Sequence, residues 1–157
     1  MKLAVIGTGQ WGKNHVRSLK ELLDDHLISD LYLCDRDKKQ VSSLAKTYGL
    51  PYFSDYQKIP GDIDGVIIAT PSDTHVVVAQ YFLDKGIDVL VEKPMALSTK
   101  EADRLIRHAE GNNSILMVGH IFRYHPAIIT VKEKISRGDF GDIYYMMSNR
   151  LSLRYPR

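Results

Sequence analysis

The sequence predicts an α/β domain built on a doubly wound parallel sheet, and three observations carry that prediction. Short β-branched runs alternate with segments of helical period, glycines stand where the helices should stop, and polar residues gather at the ends of the apolar runs. A parallel sheet is covered on both faces, so its strands read as continuous apolar runs rather than as alternating ones.

The first run, Leu3 to Ile6, leads into Gly7-Thr8-Gly9-Gln10-Trp11-Gly12. Gly7 permits a sharp turn off the strand, Gly9 lets the backbone approach a pyrophosphate, and Gly12 lets the following helix pack closely on the strand. The N-terminus of that helix offers unpaired N–H groups and a positive dipole end to phosphates. Val16, Leu19 and Leu23 recur at helical spacing along it, and Leu22 widens the stripe. Such glycine spacing recurs by chance in ordinary turns. Its position between strand and helix, with Asp35 closing the next run, marks a dinucleotide site.

Leu31 to Cys34 is the second strand. Asp35 can accept hydrogen bonds from both hydroxyls of an adenosine ribose and would repel a 2′-phosphate, which favours NAD; the bland alternative is a capping or surface aspartate. Arg36 can stack on adenine or pair with a 2′-phosphate, so NADP stays open. Asp37 with Gln40 reads as a helix start and Gly49 as its stop.

Val66 to Ala69 is the third strand, running into Thr70-Pro71-Ser72, and Gly86 ends the helix behind it. Val89 to Val91 is the fourth, followed by Glu92-Lys93-Pro94. Ser98 and Glu101 form a capping box for a helix striped by Leu105, Ile106 and Ala109 and stopped at Gly111. Ile115 to Val118 is the fifth strand, with Gly119-His120 beyond it. Right-handed crossovers bring all these strand ends to one edge of the sheet, the edge where such folds bind ligands.

The Glu92-Lys93 pair directly after a buried run is poorly explained by folding, because ionised groups at a strand end need partners or water. Pro94 suits a sharp turn, cis included, that aims the ammonium into the cleft. There Lys93 could polarise a hydroxyl undergoing oxidation or relay its proton. A solvated turn is the alternative.

Three stretches, Gly7-Thr8-Gly9-Gln10-Trp11-Gly12-Lys13-Asn14, Ala69-Thr70-Pro71-Ser72 with His75, and Glu92-Lys93-Pro94-Met95-Ala96-Leu97-Ser98, together resemble the glucose-fructose oxidoreductase, inositol dehydrogenase and rhizopine-catabolism (Gfo/Idh/MocA) family. The resemblance runs in order along essentially the whole chain. Gly119-His120, Arg123-Tyr124-His125-Pro126 and Ser148-Asn149-Arg150-Leu151 look most like the branch acting on nucleotide sugars, such as UDP-N-acetylglucosamine or its uronate, at the sugar C3.

The resemblance implies an NAD(P)-dependent sugar or nucleotide-sugar dehydrogenase working by hydride transfer. It implies that Gly7, Thr8, Gly9, Gln10, Trp11 and Gly12 line the pyrophosphate and that Asp35 and Arg36 face the adenosine. Ala69, Thr70, Pro71 and His75 would border the nicotinamide ribose, and Glu92 would hold the ribose or nicotinamide end. Lys93 would be the catalytic lysine, also touching the cofactor, with Arg123 near nicotinamide and substrate. His75 has a second reading as a solvent-facing residue of a first helical turn. Trp11 is equally a lid over the cofactor or a helix-to-sheet packing residue.

Members of that family run to about twice this length, their second domain being a mainly antiparallel sheet. The resemblance therefore divides the chain into a Rossmann domain over 1–122 and, over 123–157, a linking helix and the first strand of a truncated substrate domain. The downstream catalytic histidine has no counterpart among the six histidines. An alternative is a non-enzymatic NAD(P)-binding module or subunit lacking its catalytic partner domain. A Rossmann reductase for imines or amino-acid precursors is a third reading, against which the Glu-Lys-Pro step argues.

Composition narrows the classes further. Of 157 residues, 44% are hydrophobic and 25% charged, ordinary for a globular chain with its own core. A net charge of +2 with scattered Lys and Arg argues against a nucleic-acid partner. No run approaches the roughly 20 apolar residues of a membrane span, and Met1-Lys2-Leu3 leads straight into a strand, so a cytoplasmic protein is expected. The lone Cys34 reads as a packing thiol. His120 and His125 lack a further ligand at metal spacing, so no metal is expected. Ile143 to Met147 is apolar on both strand faces, which predicts pairing with the same segment of another chain, a homo-oligomer, or disorder.

Overall fold

A computed structural model describes residues 1–149. The chain forms two compact units, Met1–His120 and a second that begins at Ile121.

In the first unit the strands are β1 (Lys2–Ile6), β2 (Asp30–Cys34), β3 (Tyr52–Phe53), β4 (Gly65–Ile68), β5 (Asp88–Val91) and β6 (Leu116–Val118). The helices between them are α1 (Gly12–Asp24), α2 (Lys38–Tyr48), α3 (His75–Leu83) and α4 (Thr99–Gly111). All strands are parallel, in the order β3-β2-β1-β4-β5-β6. The five strands read from the sequence are all present. β3 carries no sequence signal, because two residues after Pro51 are too short to show a period.

Alternation along β1 divides the core. Val5 packs with Leu31, Leu33 and Ile67 against Val16 of α1 and Val41 and Ala45 of α2. Ala4 and Ile6 face the other way, with Val66, Ile68 and Val89, against Ala79, Phe82 and Leu83 of α3 and Leu105 and Ala109 of α4. Burial on both faces accounts for the unbroken apolar runs. Leu22 and Ile106, placed on apolar stripes by their spacing, are exposed. The stripes are narrower than their sequence suggests.

Helix ends follow local chemistry. The Asp37 side chain accepts from the N–H groups of Lys39 and Gln40, and Gly49 takes the left-handed conformation after Tyr48. Ser98 accepts from the Glu101 N–H. Gly111 proves to be the last residue of α4 rather than its stop; Asn113 takes the left-handed position, which asparagine tolerates.

Register brings the strand ends level. Ile6 pairs with Cys34 and Ile68, Ile68 with Val91, and Val91 with Val118. The next residues, Gly7, Asp35, Ala69, Glu92 and Gly119, therefore emerge side by side on one edge.

The second unit holds a 3-10 turn, Ile121–Tyr124, and α5 (Pro126–Ser136), whose start is capped by His125 accepting from the Ala127 N–H. None of its described residues is buried. The strand expected over Ile143 to Met147 is not formed, since these residues have no regular secondary structure and are exposed. A strand needs a neighbour to take its N–H and C=O groups, and among the described residues this segment has none. Arg150 and Leu151 lie outside the described residues.

Candidate functional site

The glycine loop turns immediately after β1. Gly7 has φ +92, which favours glycine, and a side chain there would also strike the backbone of Ala69 and Thr70 at 2.6 to 2.8 Å. Gly12 lies against Gly7 itself. At Gly9 an added β-carbon would meet nothing within 4 Å. The loop's tight side is thus filled by protein and its Gly9 side is open to a ligand.

No side chain caps α1. Among the described residues the backbone N–H groups of Gln10, Trp11 and Gly12 donate to no other backbone group. They are the orphan donors of a helix start, suited to a phosphate.

A cleft of about 610 Å³ opens along this edge. Gly7, Gly9, Gln10 and Trp11 form its loop wall, Asp35 and Arg36 its β2 wall, and Ala69, Thr70 and Pro71 its β4 wall. Cys34, Gln40, Ser54, Tyr56 and Val78 also line it, and of these only Gln40 lay in a motif. Tyr56 and Val78 reach the cleft through tertiary packing, for which local sequence offers no signal.

Asp35 is already engaged. Its Oδ2 accepts from the Thr8 N–H at 2.6 Å, the Thr8 hydroxyl at 3.0 Å and Gln40 Nε2 at 3.1 Å; Oδ1 accepts from the Asp37 N–H at 3.0 Å. Burial pushes its carboxyl up, but these hydrogen bonds outweigh burial and hold it below the usual carboxylate range. Thr8 is wholly buried beneath the loop and serves the cleft by orienting Asp35. At the helix start read from Asp37 with Gln40, the Asp37 side chain accepts from the Gln40 N–H while the Gln40 side chain turns toward Asp35 and Thr8. Beside them burial, with Asp35 and Asp55 nearby, pushes the Cys34 thiol up to about 12.

His75 is drawn into the protein at the edge of the site. It is 1% exposed, so the solvent-facing alternative is excluded. Its Nδ1 lies 2.8 Å from the Pro94 carbonyl oxygen and its Nε2 2.9 Å from that of Thr70. One imidazole thus ties the loop after β4 to the turn after β5.

That turn has a cis Lys93-Pro94 bond. Glu92 is 8% exposed, while Lys93 is exposed and holds its Nζ 6.0 Å from the centre of the Trp11 ring. Trp11 is 50% exposed and lines the cleft wall. Arg123 lies in the second unit, in the turn Ile121–Tyr124.

A six-stranded parallel sheet in this order, with a glycine loop between β1 and α1, defines a Rossmann-type dinucleotide-binding domain. The profile of the GFO_IDH_MocA family, described as an oxidoreductase family with an NAD-binding Rossmann fold, matches residues 1–120, and the chain belongs to that family.

Over its whole length the chain is 32% identical to a UDP-N-acetylglucosamine 3-dehydrogenase of Acidithiobacillus ferrooxidans, covering 47% of that protein. A crystal form of that dehydrogenase superimposes with a TM-score of 0.77 at 33% identity, over 85% of this chain and 41% of the other. The WlbA dehydrogenase of Bordetella pertussis, solved with NADH and UDP-GlcNAcA, gives a TM-score of 0.84 at 26% identity, over 92% and 42% respectively. The chain spans about half the length of the curated relatives it matches.

Proposed function

We propose that this chain is the NAD-binding part of a dehydrogenase that oxidises a hydroxyl of a sugar or nucleotide sugar. The observation that carries this reading is the convergence, on one sheet edge, of an open Gly9, an uncapped α1, the oriented Asp35 carboxylate and the Glu92-Lys93-Pro94 turn. The dehydrogenases similar to it act on UDP-N-acetylglucosamine, or bind NADH with UDP-GlcNAcA, which supports a nucleotide sugar as substrate.

In this reading Gly7, Gly9, Gln10, Trp11 and Gly12 cradle the pyrophosphate. Asp35, with Oδ1 holding one protein donor, takes the adenosine ribose, and Arg36 flanks the adenine. Ala69, Thr70 and Pro71 border the nicotinamide ribose, with His75 behind them. Bound NAD supplies the hydride acceptor. Lys93 takes the hydroxyl proton of the sugar, Glu92 steadies the nicotinamide end, and Arg123 belongs near the substrate. Catalysis requires the sugar carbon at near-attack distance, and the relatives similar to this chain are about twice as long. The 157 residues alone should therefore bind NAD(H) and turn over little sugar.

Isothermal titration with NADH and NADPH tests the first half, and absence of affinity for both would refute it. Rapid oxidation of UDP-N-acetylglucosamine by this chain alone would refute the second. The exposed run Ile143 to Met147, in which Tyr144 is 92% and Tyr145 80% exposed, further supports self-association through that segment. Light scattering that shows a monomer at every concentration would count against it.

A further inference from the structure

Glu92 is gripped by a residue that no motif singled out. His15, on α1, brings Nε2 within 2.9 Å of Glu92 Oε1, with both side chains largely shielded, 25% and 11% exposed. A carboxylate only accepts, so the imidazole donates. Glu92 Oε2 accepts from the Lys93 N–H at 3.3 Å. The third side is closed by Gly119, one residue past the Val91–Val118 pair, where a β-carbon would stand 3.2 Å from Glu92 Cδ and Oε1. A side chain at position 119 would press on the carboxylate and require it to shift by a few tenths of an ångström.

A second contact to the same step lies one turn earlier, at Trp11, the N-cap of α1. Trp11 and His15 are four residues apart and so share a face of α1; Trp11 faces Lys93 while His15 holds Glu92. The helix whose N-terminus closes the glycine loop thereby also holds the Glu-Lys step.

We propose that His15 is a positioning residue: through its hydrogen bond to Glu92 it sets the Glu92-Lys93 step against the glycine loop, so that seating the dinucleotide and placing the lysine are one mechanical event. The cofactor half of this inference rests on the function proposed above. The His15–Glu92–Gly119 arrangement does not.

The test uses the full chain, first without cofactor. In His15→Ala the amide resonances of Lys93 and Gly119 should shift, while those of Val5 and Leu33, in the core on β1 and β2, stay in place. His15→Gln, which retains a side-chain N–H donor, should return them toward wild type. With NADH added and Trp11 fluorescence as the readout, His15→Ala should weaken binding about tenfold or more, the scale of one hydrogen bond to a charged group, and His15→Gln should recover most of it. Unchanged Lys93 and Gly119 amides in a folded His15→Ala, or a Gln variant that folds without restoring them, would overturn the proposal. If His15→Ala fails to fold, the His15→Gln spectrum decides, since wild-type positions for both amides are then required. A wild-type chain that ignores NADH would overturn the functional reading, and the amide shifts would still decide the pair.

Discussion

A β-carbon added to Gly12 would stand 1.9 Å from the carbonyl oxygen of Gly7. The contact is with backbone, so no side chain can move aside to relieve it. Gly12→Ala should therefore destabilise the domain by about 3 kcal/mol, the upper end of what overpacking costs, and disturb the loop. Gly9→Ala, with open space around its β-carbon, should fold within about 0.5 kcal/mol of wild type yet lose most NADH affinity. Denaturant unfolding and NADH titration of the two variants separate the roles. Equal stability of the two would contradict them.

His75→Leu removes the imidazole that lies between the Thr70 and Pro94 carbonyls and takes away the N–H donor it offers there. The expected loss is about 1–3 kcal/mol, read as a lower urea midpoint with unchanged slope. A midpoint within experimental error of wild type would show that water replaces the ring at no cost.

Cys34 is buried, and its thiol, pushed up to about 12, carries almost no thiolate near neutral pH. Native protein should react with a thiol reagent only as fast as it opens, and at once in denaturant. Prompt reaction of the folded chain at pH 7 would mean that the strand end is accessible.

The Asp35 carboxyl is held below its ordinary value in the folded state. A depressed folded value stabilises above the unfolded one, about pH 4, and that stabilisation disappears as pH falls through the folded value. Stability should accordingly drop below about pH 4, and Asp35→Asn should flatten this limb. Asp62, lowered by its contact with Lys2, acts in the same window but sits on the surface, so added salt should suppress its part and spare that of Asp35. An acid limb identical in the variant would exclude Asp35 as its source.

Much of this architecture is legible in the order of residues because the forces that set it are local. Leu3 to Ile6, Asp37, Gly49 and Ser98 declare strand, cap and stop through side-chain branching, hydrogen-bonding reach and backbone freedom. Asp35 and Glu92-Lys93 announce themselves because charge after a buried run needs a reason. Tyr52–Phe53 does not, being held as β3 by pairing with Leu33 and Cys34 rather than by its own pattern. Leu22 and Ile106 mislead in the other direction, since periodicity marks a face but not how far the neighbouring layer extends.

The sequence by itself determined the α/β class, the chemistry of the strand ends and the family, because turns, caps and apolar runs are encoded within a few residues of one another. Only the tertiary structure decided what His75, Gln40, Thr8 and His15 do. Each acts on a partner outside its own turn, His15 across 77 residues to Glu92, through hydrogen bonds whose direction no local pattern encodes. Spacing states which residues reach the sheet edge. Packing of α1 and α3 against that edge settles which of them face the cleft and which hold the others in place.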